Sequence, residues 1–334
     1  MANALLKLIE EKGALLADGA TGTTLFGMGL EAGAAPELWN VDEPENIKEL
    51  HRGFVQAGSD IILTNSFGGT RHRLKLHDAQ ERVHELNKAA AEIAREVANE
   101  VDRDVIIAGS VGPTGELLVP LGNLTYDACV EAFEEQMNGL KSGGVDVLWV
   151  ETMSSPDEMK AAAQAANAVG MPFVVTASFD TAGRTMMGLL PKDLSAVFTE
   201  GEKPMAVGAN CGVGASDLLS SILDMTAANP EMMIVAKANC GIPQIKGDVV
   251  EYTGTPELMH DYTKLALDAG ATIVGGCCGT SCDHLKEMRA AIDAYQKGDR
   301  PNLELIEKRI GPLVNRPAND DASAAGKPRR RRRG

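Results

Sequence analysis

The chain has 334 residues and a net charge of −15, with 44% hydrophobic but only 4% aromatic residues. An acidic chain repels phosphate backbones, which argues against nucleic acid as the main partner. No apolar run reaches the roughly 18 residues of a membrane-span candidate, and the segment from Met1 to Gly13 lacks the apolar centre of a signal peptide. We therefore expect a cytoplasmic protein that binds neither nucleic acid nor membrane.

Apolar runs of strand length alternate with longer amphipathic stretches from the start of the chain. Each run is mostly apolar throughout, which is typical of strands buried on both faces of a parallel sheet. The eight predicted strands are Ala14–Ala20, Asp60–Phe67, Val105–Ser110, Val145–Glu151, Phe173–Ser178, Ala206–Asn210, Ile234–Asn239 and Ala271–Gly276. The clearest predicted helices are Glu81–Val101, Tyr126–Lys141, Pro156–Ala168, Leu218–Ala228, Pro256–Ala269 and Asp283–Tyr295.

Glycines separate several of these helices from the next strand. Gly144 and Gly270 stand directly before a predicted strand, and Gly58 stands two residues before one, where a glycine lets the chain leave a helix and turn back. Eight βα units predict an α/β fold of the TIM (β/α)8 barrel type. A doubly wound open sheet is the alternative, although it usually has fewer strands and a glycine-rich phosphate turn after the first.

The periodic pattern fades past Ala294, and the end of the chain is rich in Pro, Ala, Asp and Arg. Residues Asn315–Gly334, which close with the run Arg329–Arg333, cannot bury apolar area. We predict one barrel domain over residues 1–314 and a disordered basic tail over residues 315–334. The tail either has no role or docks loosely on an acidic surface.

Three of the six cysteines follow predicted strands. Cys211 comes after the sixth strand, and Cys277 and Cys278 come after the eighth. Strand ends of a barrel meet at one rim, so these thiols are expected to lie together. Three thiolates with one open position form a catalytic Zn²⁺ arrangement. Spacing alone leaves open that the cysteines are merely buried, because adjacent side chains on a strand point to opposite faces unless the backbone turns.

A three-thiolate zinc site has a specific chemical use. A thiol substrate that fills the fourth position loses its proton and becomes a nucleophile at neutral pH. Alkyl transfer to sulfur is the reaction that this arrangement favours, whereas a zinc hydrolase would need a bound water and a nearby general base. The sequence contains no H-E-x-x-H motif and only six histidines.

Five short motifs, taken in order, resemble those of the homocysteine S-methyltransferase family. They are Asp18-Gly19-Ala20-Thr21-Gly22-Thr23, Thr64-Asn65-Ser66-Phe67, Glu151-Thr152, Asn210-Cys211 and Gly275-Gly276-Cys277-Cys278-Gly279. The family includes betaine–homocysteine methyltransferases, S-methylmethionine-dependent enzymes and the homocysteine module of cobalamin-dependent methionine synthase. The resemblance covers roughly Ala14 to Ala294 and implies a methyltransferase that forms methionine from homocysteine.

The resemblance also implies roles for individual residues. It makes Cys211, Cys277 and Cys278 the zinc ligands and Glu151 the acid that holds the homocysteine ammonium. The remaining implied substrate contacts come from two loops and are Asp18, Gly19, Thr64 and Asn65. We further hypothesise that the side-chain oxygen of Asn239 binds zinc before homocysteine arrives.

The methyl donor is the least determined part of this interpretation. Trp39, in the loop region after the first strand, is a candidate to hold a small onium donor such as betaine, because aromatic faces attract cations. A separate corrinoid protein is the alternative donor, which would make the chain the homocysteine-activating subunit of a divided methionine synthase. A homo-oligomer is left open.

Several competing interpretations come from single residues. Cys240 and Cys282 are either spare ligands or packing residues, and the latter is favoured because three thiolates leave only the substrate position. A non-catalytic zinc sensor would keep the cysteines without needing Glu151 or the Asp18 loop. A Schiff-base aldolase would need a strand-end lysine, for which Lys237 is the one candidate.

Overall fold

In the computed structural model, which describes residues 3–199, 201, 203–246 and 249–315, eight parallel strands form one barrel sheet. The strands pair in chain order, and the first of them also pairs with the last. The barrel strands are β1 Leu15–Leu16, β2 Ile61–Leu63, β3 Ile106–Val111, β4 Val147–Met153, β5 Phe173–Ala177, β6 Ala206–Cys211, β7 Met233–Ala238 and β10 Ile273–Gly276. A β-bridge between Ala17 and Ile61 links the first strand to the second and completes the ring. The predicted TIM-barrel fold is confirmed.

Helices follow most of the strands and cover the outside of the sheet. In chain order they are α1 Ala4–Lys12, α2 Thr21–Gly27, α3 Trp39–Asp42, α4 Pro44–Gln56, α5 Arg71–Leu74, α6 Val83–Ala98, α7 Tyr126–Ser142, α8 Pro156–Val169, α9 Ala215–Ala228, α10 Pro256–Asp268, α11 Cys282–Asp293 and α12 Leu303–Ile310. The connection from β5 to β6 instead carries the 3₁₀ segment Pro191–Val197. None of the described helices is both long and apolar enough to cross a membrane.

Alternation along each strand divides the core into two layers. Ile106 and Ala108 of β3 point into the barrel with Trp149 of β4, whereas Ile107 belongs to the layer between sheet and helices. Leu5 of α1 joins the inner layer, so this first helix contributes to the filling of the barrel. The interior is therefore a packed core, and an open space can exist only at its rim.

The predicted glycine turns occur where helices end and the following strands begin. Gly58, Gly144 and Gly270 have φ angles of 100°, 90° and 102°, a region that residues with a Cβ seldom adopt. Each follows a helix and stands before the next strand, so the turn signals in the sequence correctly mark these boundaries.

Two parts of the structure were not anticipated. The chain does not lose its pattern after Ala294, because α12 buries Ile306 and Ile310 against the body of the barrel. An antiparallel hairpin, β8 Pro243–Lys246 and β9 Val249–Tyr252, lies between β7 and α10. The predicted tail falls outside the described residues except for Asn315, which contacts the body through Asp217.

Candidate metal and substrate site

The three predicted cysteine ligands meet at the carboxyl end of the barrel. Cys211 is the last residue of β6, and Cys277 and Cys278 follow β10, with β7 between these two strands. The Cys211 sulfur lies 2.9 Å from that of Cys277 and 3.8 Å from that of Cys278. All three sulfurs are within 4.8 Å of one another, and no other such group of metal-binding side chains occurs in the described part of the chain.

A tight turn brings the adjacent cysteines to the same place. Strand β10 ends at Gly276, and the Thr280 N–H then donates to the Cys277 carbonyl oxygen at 3.1 Å. Gly279 takes the positive φ of 80° that this turn requires. Cys211 itself has a φ of 59°, an uncommon conformation for a residue with a side chain. Because the strands have ended, the alternation that would separate Cys277 from Cys278 no longer applies.

Two asparagines connect the cysteine-bearing loops. The Asn210 amide donates to the Thr152 hydroxyl at 2.7 Å and reaches the Cys277 sulfur at 3.9 Å, while its oxygen accepts from the Thr152 N–H at 2.8 Å. The Asn239 amide donates to the Gly212 carbonyl at 2.7 Å, and its oxygen accepts from the Cys278 N–H at 3.1 Å. Asn239 thus joins the two loops, and a direct contact between its oxygen and a metal stays a prediction.

A cavity of about 620 Å³ opens above the sulfur atoms. Its inner part is lined by Asp18, Glu151 and Lys237 beside the cysteines, and its outer part includes Phe26, Phe67, Arg73 and His77. A space of this volume suits a small-molecule substrate. Predicted substrate residues Asp18, Gly19, Thr64, Asn65 and Glu151 all line it.

Glu151 is a buried carboxyl group held by one hydroxyl. The Ser110 hydroxyl donates to its Oε1 at 2.6 Å. Burial raises the pKa of Glu151 to about 7, although the Lys237 charge opposes that rise. A carboxylate that is shielded from water in this way is strongly stabilised by a cationic partner, and the ammonium group of an amino acid would be such a partner.

Asp18 and Lys237 form a buried ion pair of 2.5 Å in the same cavity wall. The second Asp18 oxygen accepts from the Leu63 N–H at 2.7 Å, so both oxygens have protein partners. Burial by itself would lower the pKa of Lys237, but Asp18 and Glu151 outweigh it and the pKa is raised. A lysine held in its charged form is no nucleophile, which argues against the Schiff-base aldolase alternative.

The remaining predicted substrate residues contribute mainly to the shape of the loops. The Thr64 hydroxyl bonds the Ser66 hydroxyl at 2.6 Å and accepts from the Ser110 N–H at 3.0 Å. The Asn65 amide donates to the Pro36 carbonyl at 2.8 Å and to Asn40 at 3.0 Å. Gly19 packs so closely that an added Cβ would lie 2.6 Å from the Thr280 carbonyl oxygen.

The structure does not bring Trp39 to the cavity. Trp39 begins α3, and its partly buried ring packs against the hydrophobic core instead of joining the cavity lining. The donor-binding role predicted for Trp39 therefore has no support from its position. The aromatic side chains that do line the outer cavity are Phe26 and Phe67.

The other two cysteines noted in the sequence lie outside the sulfur group. Cys240 is buried, and its sulfur lies 2.6 Å from the place where a Cβ on Gly254 would stand. The Cys282 sulfur packs in the same way against Gly53. Both positions agree with packing roles.

Two residues of the site had no role assigned to them from the sequence. Ser110 supports Glu151, and Asn210 ties Cys211 to the Thr152 loop. Each stands at or near the end of its strand, and strand-end polar residues of a barrel are the signal that could have marked them.

The sulfur group fits a zinc ion. A tetrahedral site with Zn–S bonds of about 2.3 Å places sulfur atoms roughly 3.8 Å apart. The Cys211–Cys278 separation of 3.8 Å already matches this spacing, and the closer Cys211–Cys277 pair would need to open by about 1 Å. Soft sulfur ligands without a carboxylate favour zinc over magnesium or calcium.

Known proteins are similar to this chain in sequence and in fold. The chain is 30% identical over 317 residues to methionine synthase of Mycobacterium tuberculosis, a match that covers 89% of this chain but only 26% of that protein. The chain thus spans about a quarter of that relative's length. Crystal structures of the homocysteine methyltransferase MmuM from Escherichia coli, in oxidized and metallated forms, superpose with TM-scores of 0.72 and 0.71. Both are 23% identical, and the matches cover 86% of this chain and 98% or 99% of theirs, a likeness that concerns the fold.

The profile of the homocysteine S-methyltransferase family matches residues 15–292. That span contains all eight barrel strands, the three clustered cysteines and Glu151. The chain belongs to the homocysteine S-methyltransferase family.

Proposed function

We propose that the chain is a zinc-dependent homocysteine S-methyltransferase that forms methionine with a small onium methyl donor such as betaine. The observation that carries the proposal is the cluster of three cysteine sulfurs at the inner end of a small-molecule cavity that Glu151 also lines. The match to the family profile supports homocysteine as the methyl acceptor.

Cys211, Cys277 and Cys278 would hold the metal. When bound there, Zn²⁺ supplies one open position at which a thiol loses its proton at neutral pH. Asn210 and Asn239 would hold the cysteine-bearing loops in place around the metal, because each donates to a hydroxyl or backbone carbonyl of a neighbouring loop.

Glu151 would bind the ammonium group of homocysteine. Ser110 fixes one oxygen of the carboxylate, and the other can accept a charge-assisted hydrogen bond. The carboxylate of homocysteine would lie at the loop that follows β2. Since the Asn65 side chain already bonds Pro36 and Asn40, contacts from this loop would come from its backbone N–H groups.

The outer cavity suits a small zwitterionic donor. Phe26 and Phe67 offer aromatic faces to an onium group, while Arg73 provides a cation for a carboxylate. No ion pair or side-chain hydrogen bond of Arg73 occurs within the described residues, although its charge acts on the buried carboxyl group of Glu37 in the same cavity wall. Attack of the homocysteine sulfur on the donor methyl carbon breaks the carbon–nitrogen or carbon–sulfur bond of the onium, whose electron pair leaves with the demethylated donor.

A corrinoid protein as methyl donor is the second candidate. Large apolar side chains are exposed on the loops after β1, β2, β3 and β5, which lie at the same end of the barrel as the cavity, with Leu76 and Met186 each 70% exposed. We name this surface the apolar rim; it comprises Phe26, Phe67, Leu76, Leu117, Val119, Leu121, Met186 and Met187. Exposed apolar patches of this kind accompany protein docking sites. The similarity to a methionine synthase that is about four times longer also favours this candidate.

Methionine formation by the zinc-loaded protein separates the two donors. Homocysteine would be supplied with betaine, dimethylsulfoniopropionate or S-methylmethionine one at a time, and then with methylcobalamin. Turnover with a small donor, lowered by Arg73→Gln, supports the first proposal. Turnover with methylcobalamin alone would refute the onium donor and support the corrinoid alternative, and no turnover with any of them would contradict both.

A further inference from the structure

A second buried carboxyl group lies in the cavity wall, in the connection after β1. Glu37 belongs to the 3₁₀ segment Pro36–Leu38, is only 5% exposed and lines the same cavity as the cysteine cluster. It is separate from Glu151, which the Ser110 hydroxyl holds in the inner part of the cavity. None of the five sequence motifs includes Glu37. A buried carboxylate is costly unless its oxygens have partners, so the surroundings of each oxygen matter.

One oxygen of Glu37 has a partner in the protein. The Gly68 N–H, in the loop after β2, donates to Oε1 at 2.6 Å. A Cβ on Gly68 would lie 2.9 Å from Oε1 and 3.5 Å from Oε2, so the carboxyl group rests against the backbone of this glycine. Oε2 makes no hydrogen bond or ion pair with another of the described residues. Oε2 is therefore the atom that Glu37 can offer to a ligand in the cavity.

Two further side chains of the cavity wall are held against glycines. Phe67 directly precedes Gly68, and a Cβ on Gly112 would lie 2.6 Å from its ring. A Cβ on Gly115 would lie 3.2 Å from the Cδ atom of Arg73. Both glycines belong to the connection after β3, and each leaves room for a side chain that lines the cavity. An aromatic ring and a guanidinium thus line the same cavity as the Glu37 carboxyl group, in fixed places.

The charge of Glu37 responds to cations in its surroundings. Burial raises the pKa of Glu37, whereas backbone N–H groups, including that of Gly68, and the charges of Arg73 and His77 oppose this rise. A cation that enters the cavity would stabilise the charged form of the carboxyl group further. An onium group suits this place, because its charge is fixed and its methyl groups pack well on an aromatic face.

We propose that Glu37 is a specificity-determining residue for the methyl donor, whose carboxylate attracts the onium charge while the Phe67 ring packs on the onium methyl groups. The donor class that this arrangement selects is an onium carboxylate, whose acid group Arg73 would bind. The inference rests on the proposed function with a small donor. It adds the group that distinguishes an onium from an uncharged ligand of the same shape.

The charge that Glu37 would recognise disappears during the reaction. The thiolate sulfur of homocysteine forms a bond to the methyl carbon, and the electron pair of the broken bond stays on the nitrogen or sulfur of the donor. The thiolate and onium charges thereby cancel. Glu37 would thus stabilise the bound donor more than the transition state. Loss of its charge should raise the KM for the donor and leave kcat equal or higher.

The Glu37→Gln variant tests this role, because its amide oxygen can still accept from the Gly68 N–H while the charge is lost. Betaine and 3,3-dimethylbutanoate are ligands of one shape, since a carbon atom replaces the charged nitrogen in the second. Dimethylsulfoniopropionate and 4-methylpentanoate form the corresponding pair for a sulfonium. Binding to the zinc-loaded protein would be measured by calorimetry, and the KM and kcat with any small donor that turns over would be measured beside it.

We expect Glu37→Gln to weaken binding of the onium ligand about 10-fold or more, because an attraction between two charges in a partly dry cavity is lost. Binding of the uncharged ligand of the same pair should stay equal or become tighter. Glu31→Gln is the matched control and should change neither. It removes an exposed carboxylate from the same connection, outside the cavity lining.

The outcomes separate this inference from the proposed function. Wild-type protein that neither binds these onium ligands nor forms methionine from any small donor would overturn the onium donor and the Glu37 role together. Methionine formation from a small donor, with both ligands of a pair weakened equally by Glu37→Gln, would overturn the Glu37 role alone and assign this residue to support of the β2 loop. A lower kcat with an unchanged donor KM would also contradict the inference.

Discussion

At the scale of single residues, the site depends on three sulfur atoms that come from two strand ends. Replacing Cys211, Cys277 or Cys278 by serine should lower zinc affinity by more than the ~100-fold that loss of an outer-shell contact costs, because each change removes a ligand. Methyl transfer should be lost with the metal. Cys282→Ser is the control, since its sulfur lies outside the cluster. Zinc content and activity that survive all three changes would contradict the assignment.

Glu151 provides a second prediction at this scale. Glu151→Gln keeps the size of the side chain but removes its charge, so the KM for homocysteine should rise about 10- to 100-fold, in line with the 1.5–3 kcal/mol of a charge-assisted hydrogen bond. The matched substrate is 4-mercaptobutanoate, which lacks the amino group. The KM for 4-mercaptobutanoate should be the same for the wild type and for Glu151→Gln. An equal rise in KM for both thiols would contradict a contact between Glu151 and the ammonium group.

His51 determines part of the acid sensitivity of the fold. It is 0% exposed, neither ring nitrogen has a partner in the described structure, and burial lowers its pKa to about 4. Since an unfolded histidine titrates near 6.5, the stability that this residue contributes is complete above that pH and is lost as the pH falls toward 4.

The His51→Leu variant measures this contribution. The difference in free energy of unfolding between wild type and variant should change by up to ~3 kcal/mol between pH 7 and pH 4, with the wild type losing more. Urea unfolding of both proteins at several pH values is the measurement. A pH-independent difference would show that His51 does not titrate in this way.

At the scale of elements, the loop after β1 packs against the loop after β10 at Gly19 and at Ala20, whose N–H donates to the Thr280 carbonyl at 3.0 Å. Gly19→Ala would place its Cβ against the Thr280 carbonyl, so the free energy of unfolding should fall by about 1–3 kcal/mol, as for other overpacked positions. Zinc affinity should fall as well, because Thr280 belongs to the turn of Cys277 and Cys278. Gly27→Ala, which meets no atom within 4 Å, serves as control in a thermal melt. Equal stability of the two variants would argue against close packing of these loops.

The sequence predicted elements better than it predicted contacts between them. Every predicted barrel strand exists, because buried parallel strands carry continuous apolar runs. The cysteines could be placed together because all strand ends share one rim. A donor-binding role for Trp39 has no support from its position, because its ring packs against the core. The sequence does not say whether a ring on a short helical turn faces core or solvent. The β8–β9 hairpin was not predicted, because its two strands have only four residues each.

At the scale of the whole molecule, the described chain ends against the barrel. The N–H groups of Val314 and Asn315 donate to the Asp217 carboxylate at 3.0 and 2.7 Å. Deleting residues 316–334 should therefore leave activity and melting temperature unchanged. That result would agree with the prediction that the tail has no role. Deleting residues 314–334 should lower the free energy of unfolding by about 1–2 kcal/mol through loss of these hydrogen bonds. A large loss of activity from the shorter deletion would show that the tail participates in the reaction.

We propose that the three-cysteine cluster presents zinc to the thiol of homocysteine. X-ray absorption at the zinc edge of the loaded protein measures this directly, before and after homocysteine is added. We predict three sulfur neighbours at about 2.3 Å in the free protein and four after addition. A sulfur count that stays at three on saturation with homocysteine would contradict it.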